Sequence, residues 1–144
     1  MDKLKLKDFS DKLLKYHIAV SGIYNEYAKS AGLTSASFIV LGMIYEGDNC
    51  TQKLIAKNTY LPKQTINAII KTFVKQGIIE TPIELNSDKR NKTLVLTERG
   101  RISAEKIFSK VKEADYKALD SLGEERCEKL VEIIGLYKNN FKIE

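Results

Sequence analysis

Four apolar residues, Ile66, Ile69, Ile70 and Phe73, recur at helical spacing in a segment bounded by Pro62 and Gly77. At a helix's rotation of about 100° per residue they share one face, and that face must be buried. Proline suits the entry to a helix and glycine the position just past its end, so the flanking residues agree with the spacing. Upstream, Thr51 precedes a shorter helical run, Gln52 to Lys57, which is followed by a polar turn at Asn58, Thr59 and Tyr60. A short helix, a tight turn and a second helix make a helix-turn-helix pattern. The second helix points Gln64, Ala68, Lys71 and Lys75 away from its apolar face, with Asn67 on the flank. Glutamine and asparagine can pair with adenine edges, and lysine reaches guanine or phosphate. Alanine is small enough to approach a thymine methyl. Without further context, the same face reads as the soluble side of an ordinary amphipathic helix.

The next segment supplies context. Ile78–Thr81 and Thr93–Leu96 read as short strands joined by a loop from Glu84 to Lys92. Within it, the turn formers Asn86, Ser87 and Asp88 precede a basic tip of Lys89, Arg90 and Lys92. An arginine on a projecting hairpin fits the narrow minor groove, where negative potential concentrates. Asp88 stands two positions before Arg90, where a charge-assisted hydrogen bond would steady the guanidinium. A flexible hairpin kept soluble by its charges is the plainer alternative. Charge is unevenly spread along the chain. Thr51 to Arg101 holds ten basic and four acidic residues, a net charge of +6, whereas the remainder has fourteen and fifteen, a net of −1. A cationic excess confined to the middle third suits a polyanion-facing surface, and equally a solvated charged face.

Helices flank this middle third. Phe9, Leu13, Tyr16, Val20, Ile23 and Tyr27 form one apolar stripe on a long helix ending near Ala31 and Gly32, where glycine supplies a left-handed cap. Thr34 caps the next helix, whose apolar positions include Phe38, Ile39, Leu41 and Ile44, and Gly47 closes it. A helix from about Glu98 to Leu119 has Ile102, Phe108, Val111 and Ala118 on its apolar side. After Gly123, Cys127, Leu130, Ile134, Tyr137 and Phe141 make a second terminal stripe. Each stripe packs either on its own chain or as a seam between two chains. The second arrangement is preferred, since the two stripes offer more apolar surface than one small central domain can cover.

Several function classes are disfavoured. Cys50 and Cys127 form no CxxC motif, so reduced thiols are expected, and with His17 as the one histidine there is no support for a metal site. Neither the cysteines nor His17 has a recognisable catalytic motif around it, and no glycine-rich phosphate loop occurs. The chain is expected not to be an enzyme and to need no cofactor. No apolar run approaches the roughly 20 residues of a membrane span. The alternating charges of the first eight residues do not resemble a secretory leader, which points to a cytoplasmic protein without membrane contact. His17 with Tyr16, Tyr24 and Tyr27 would line a pocket for an aromatic acid, although aromatics at helical spacing more often pack a core.

The succession of blocks resembles the MarR transcriptional regulators. The blocks are Leu33-Thr34, the run from Leu61 to Asn67, Lys75 to Ile79, the wing residues Asp88-Lys89-Arg90, and Leu96 to Gly100. The resemblance implies a mainly α (α+β) fold, a winged helix-turn-helix with N- and C-terminal helices forming a dimerisation domain. It implies a homodimer on a palindromic double-stranded DNA site, with Lys63 to Lys71 in the major groove and Arg90, oriented by Asp88, in the minor groove. It implies a regulator, commonly a repressor, whose DNA affinity responds to a small-molecule effector or an oxidant. The expected divisions are 1–33 for the first dimerisation helix, 34–100 for the winged domain and 101–144 for the C-terminal dimerisation helices. The candidate DNA-binding set is Thr51 and Gln52 in the first helix of the pair, and Lys63, Gln64, Thr65, Asn67, Ala68, Lys71 and Lys75 in the second. On the wing it is Asp88, Lys89, Arg90 and Lys92. Two departures from the family pattern stand out: Glu80 occupies a usually basic position and Pro82 interrupts the strand. The alternative is a winged-helix adaptor that binds protein, which would expose apolar residues where Gln64, Asn67 and Lys71 stand.

Overall fold

Each helix boundary has a local cause. In the computed structural model, which describes residues 1–80 and 93–143, helix α1 spans Lys3–Ser30 and starts at Asp2, whose carboxylate accepts the Lys5 amide at 2.9 Å. It stops at Ala31, and Gly32 turns left-handed at φ +74° so that Leu33 N–H reaches back to the Ala28 carbonyl at 2.9 Å. Helix α2, Ser35–Glu46, begins with the Thr34 hydroxyl accepting the Ser37 amide at 3.1 Å. Gly47 closes α2 by close approach and not by a left-handed turn, because a Cβ there would collide with the Met43 carbonyl oxygen. Helix α3, Gln52–Thr59, is capped by Thr51, and helix α4, Lys63–Lys75, follows Pro62 and ends before Gly77 at φ +68°. Helix α5 spans Glu98–Leu122, three residues beyond the expected end, and helix α6 spans Glu124–Asn140.

The chain forms two compact units, Met1–Glu105 and Lys106–Glu144. In the first, α2, α3 and α4 pack on one another and the end of α1 packs on α2. Tyr24 and Tyr27 of α1 meet the Phe38 ring at centroid distances of 6.5 and 6.2 Å. The core comprises Phe38, Val40, Leu41 and Ile44 of α2, Ile55 of α3, and Ile66, Ile69, Ile70 and Phe73 of α4. Ile39, expected on the apolar side of α2, is exposed, and Val40 is fully buried in its stead. With apolar residues at 38 to 41 the sequence period does not choose between these neighbours, and packing does. Ile102 and Ala118 are likewise exposed on α5, where Ala104 and Phe108, four positions apart, are buried. Ile102 lies two positions from Ala104 and so on nearly the opposite side of the helix.

The expected strands are described only in part, since Thr81 lies outside the described residues. Among the described residues they are isolated antiparallel bridges, Ile79 with Leu96 and Thr51 with Thr93. Glu80 N–H donates to the Val95 carbonyl at 2.9 Å, and Leu94 N–H to the Cys50 carbonyl at 2.8 Å. The segment before α3 is thus a third member of the small sheet, a pairing the sequence does not announce. Among the described residues no single helix is long and apolar enough to cross a membrane.

Thr97 locks the sheet to the helices. Its hydroxyl donates to the Gly77 carbonyl at 2.7 Å and accepts the Gly100 amide at 2.9 Å, capping α5. Gly100 lies against the Ile78 backbone so closely that any Cβ would collide with that carbonyl oxygen. Gly100→Ala is expected to lower the stability of the folded chain by about 1–3 kcal/mol. Equilibrium denaturation in urea reads this directly, and an unchanged midpoint would show that the contact yields without cost.

Candidate nucleic-acid interface

Helix α4 is anchored from behind. Ile66, Ile69, Ile70 and Phe73 are all buried, Phe73 to 2% exposure, while Lys63, Gln64, Asn67, Ala68, Lys71 and Lys75 are exposed. Thr65 is half-buried at the boundary between the two faces. The expected division of α4 therefore holds residue by residue. Among the described residues, the side chains of Gln64, Asn67, Lys63, Lys71 and Lys75 have no hydrogen bond or ion pair. The flanking helices differ: Lys7 pairs with Asp11, Lys12 with Asp8, Lys117 with Glu113 and Lys129 with Glu125. Exposed pairs of this kind add little stability, but they neutralise the surfaces that carry them. The α4 lysines keep their charge available to another molecule.

The start of α4 is open as well. Pro62 has no side chain to cap it, and only its carbonyl takes part in the helix, accepting the Ile66 amide at 3.1 Å. The amides of the first turn and the positive end of the helix dipole face outward beside Lys63, an arrangement suited to a phosphate. Thr51 has a different employment. Its hydroxyl caps α3 by accepting the Leu54 amide at 3.2 Å, and its backbone bridges Thr93. Gln52, next to it, is half-buried. Asp88, Lys89, Arg90 and Lys92 lie outside the described residues.

Sequence reasoning passed over Tyr60. In the joint between α3 and α4 it adopts φ +57°, a left-handed conformation unusual for a tyrosine, and its side chain is 89% exposed. A turn of Asn, Thr and Tyr carries no periodic signal, so nothing in the chain singled it out. The aromatic residues of α1 are clearer now. Tyr24 and Tyr27 pack on Phe38, whereas Tyr16 and His17 are exposed, which accounts for the first two as core residues.

Comparison with known proteins bears on this geometry. A MarR family model matches residues 31–90, from the end of α1 through the helix-turn-helix and on to Arg90. The transcriptional regulator SarZ of Staphylococcus epidermidis is 28% identical over 110 residues, covering 76% of this chain and 72% of SarZ. A MarR family regulator from Neisseria meningitidis superposes with a TM-score of 0.78 at 27% identity, covering 96% of this chain and 93% of that one. The chain is similar to the MarR family regulators in sequence through its middle and in fold over nearly its whole length. Its mainly α fold is the winged-helix fold of those regulators. MarR of Staphylococcus aureus, solved with salicylate and kanamycin, shares the fold with a TM-score of 0.76 at 14% identity, over 94% of this chain and 91% of that one.

The two cysteines occupy different settings. Cys50 is buried in the first unit, and burial pushes its thiol pKa up. Cys127, at the start of α6, is half-buried and donates its Sγ–H to the Leu119 carbonyl at 3.2 Å. Alkylation with iodoacetamide at mildly alkaline pH is expected to modify Cys127 well before Cys50. Equal rates, followed by mass spectrometry, would contradict the burial of Cys50. The buried thiol keeps its proton to higher pH than the same thiol in the unfolded chain. Its contribution to stability is complete below the unfolded thiol's titration range and is lost as the pH rises from there through the native value.

Proposed function

We propose that this chain is a MarR family transcription regulator, a homodimeric repressor that binds a palindromic site on double-stranded DNA through α4 and the wing. The observation that carries the reading is the outer face of α4. Its amides and lysines are exposed and uncommitted, on a helix whose other face is held rigidly in the core. Lys63, Gln64, Thr65, Asn67, Ala68 and Lys71 would lie in the major groove and Lys75 at its edge. Thr51 and Gln52 would approach the backbone, Lys89 and Lys92 the phosphates beside the wing, and Arg90, steadied by Asp88, the minor groove. A protein-binding adaptor would present apolar side chains on α4, and among the described residues its large apolar side chains are buried or half-buried.

The proposed dimer rests on apolar surface that one chain leaves uncovered. Phe9, Leu13, Val20 and Ile23 are exposed along α1, as are Leu130, Ile134 and Tyr137 along α6 and Phe141 just after it. Stripes of this extent on a folded chain mark an interaction surface. We assign residues 1–33 and 101–144 to dimerisation and 34–100 to DNA. A small-molecule effector that releases the DNA fits the relationship to S. aureus MarR, which was solved with salicylate and kanamycin. A dimer should protect two half-sites about one helical turn, roughly 34–36 Å, apart on one face of the duplex.

Footprinting on a selected duplex tests the arrangement, and protection of a single half-site would overturn it. In gel-shift titrations, Arg90→Ala should weaken binding by about 1–3 kcal/mol while leaving the dimer intact. Lys71→Ala or Lys75→Ala should lower affinity at every sequence and reduce the salt slope by about one where the lysine meets a phosphate. A slope identical to that of the natural chain would remove that lysine from the interface.

A further inference from the structure

Taking the proposed DNA reading as its basis, we infer that α4 selects A·T base pairs, with Gln64 and Asn67 reading adenine and Ala68 meeting a thymine methyl. The argument starts from position along the helix. A recognition helix contacts base edges with its N-terminal residues. In α4 those residues are Lys63, Gln64, Thr65, Asn67 and Ala68, and no arginine stands anywhere on the helix. Arginine, with its rigid fork, is the commonest reader of guanine. A side-chain amide instead matches the donor and acceptor pair of adenine N6 and N7.

Both amides meet the requirements for such readout. Gln64 and Asn67 are exposed and, among the described residues, have no hydrogen-bond partner, so neither must break a contact to reach a base. They lie three positions apart, on adjacent turns of one side of the helix. Ala68 follows Gln64 by four positions and is exposed beside it, adding a bare methyl to the same strip. A methyl offers a base nothing but apolar contact, and in the major groove only thymine presents a matching group. The lysines that reach guanine least ambiguously stand elsewhere. Lys71 and Lys75 are about 10 and 16 Å further along the axis than Gln64, beyond the N-terminal turns that meet base edges. Lys63, at the first helical position, stands beside the uncapped amides, where it would join them on a phosphate.

Selection of bound duplexes from a random pool by the full-length protein at physiological salt tests the inference. The expected product is a half-site whose most constrained major-groove positions are A·T. Gln64→Ala and Asn67→Ala, each confirmed as folded by circular dichroism, should each lose about ten-fold or more of discrimination at their own position and little elsewhere. Replacing thymine by uracil opposite Ala68 should weaken binding by the natural chain several-fold and leave Ala68→Gly unaffected. A selected half-site dominated by G·C pairs would overturn the inference while leaving DNA binding intact. So would an A·T preference that survives both amide substitutions, because that preference would then come from duplex shape. Failure to enrich any duplex would remove the DNA reading and this inference with it.

Discussion

Burial of one side of α4 is the constraint on which the rest of the molecule depends. Ile66, Ile69, Ile70 and Phe73 enter the core beside Leu41 and Ile44 of α2 and Ile55 of α3. Each fully buried side chain of this size is worth about 1.5–3 kcal/mol relative to exposure. Four of them on a helix of thirteen residues leave α4 no freedom to rotate about its axis. The polar face is oriented as a consequence. A one-residue slip would carry Lys71 into the buried place of Ile70 and move Ile69 and Phe73 to exposed places, at a cost in desolvation and lost packing that nothing opposite would offset.

The outer face is built on the reverse principle, with groups left unused. On α1, α5 and α6 several lysines, Lys7, Lys12, Lys117 and Lys129 among them, are matched with carboxylates one turn away, which offsets their charge. On α4 there is no acidic residue to do so. Among the described residues, the lysines of α4 are therefore available charge and not members of internal pairs. A duplex, with a charge every few ångströms, is the partner such a surface attracts over the longest range.

The joint between sheet and helices shows how little material positions the domain. One threonine hydroxyl ties Gly77 to the start of α5, and one missing side chain at Gly100 lets the Ile78 carbonyl approach. Thr97 and Gly100 belong to the short run Leu96 to Gly100, one of the blocks that carry the resemblance to the MarR regulators. Their spacing of three is that of a capping residue and the amide it accepts. In contrast, the long stripes of α1 and α6 remain uncovered within one chain, so the same molecule combines a closed central core with open apolar flanks.

The sequence alone determined the helices, their ends and the two faces of α4. Periodicity, caps and glycines act over three or four residues, a range a one-dimensional reading can follow. The helix-turn-helix, the capping threonines and the outward set from Gln64 to Lys75 were legible for that reason. Tertiary structure decided what depends on neighbours distant in the chain. It buried Val40 where Ile39 was expected, turned Ile102 outward, and paired the Cys50–Thr51 segment with Thr93 and Leu94. It left Tyr60 exposed in a left-handed turn. In each case several local choices were nearly equal, and only packing against the remainder of the fold separated them.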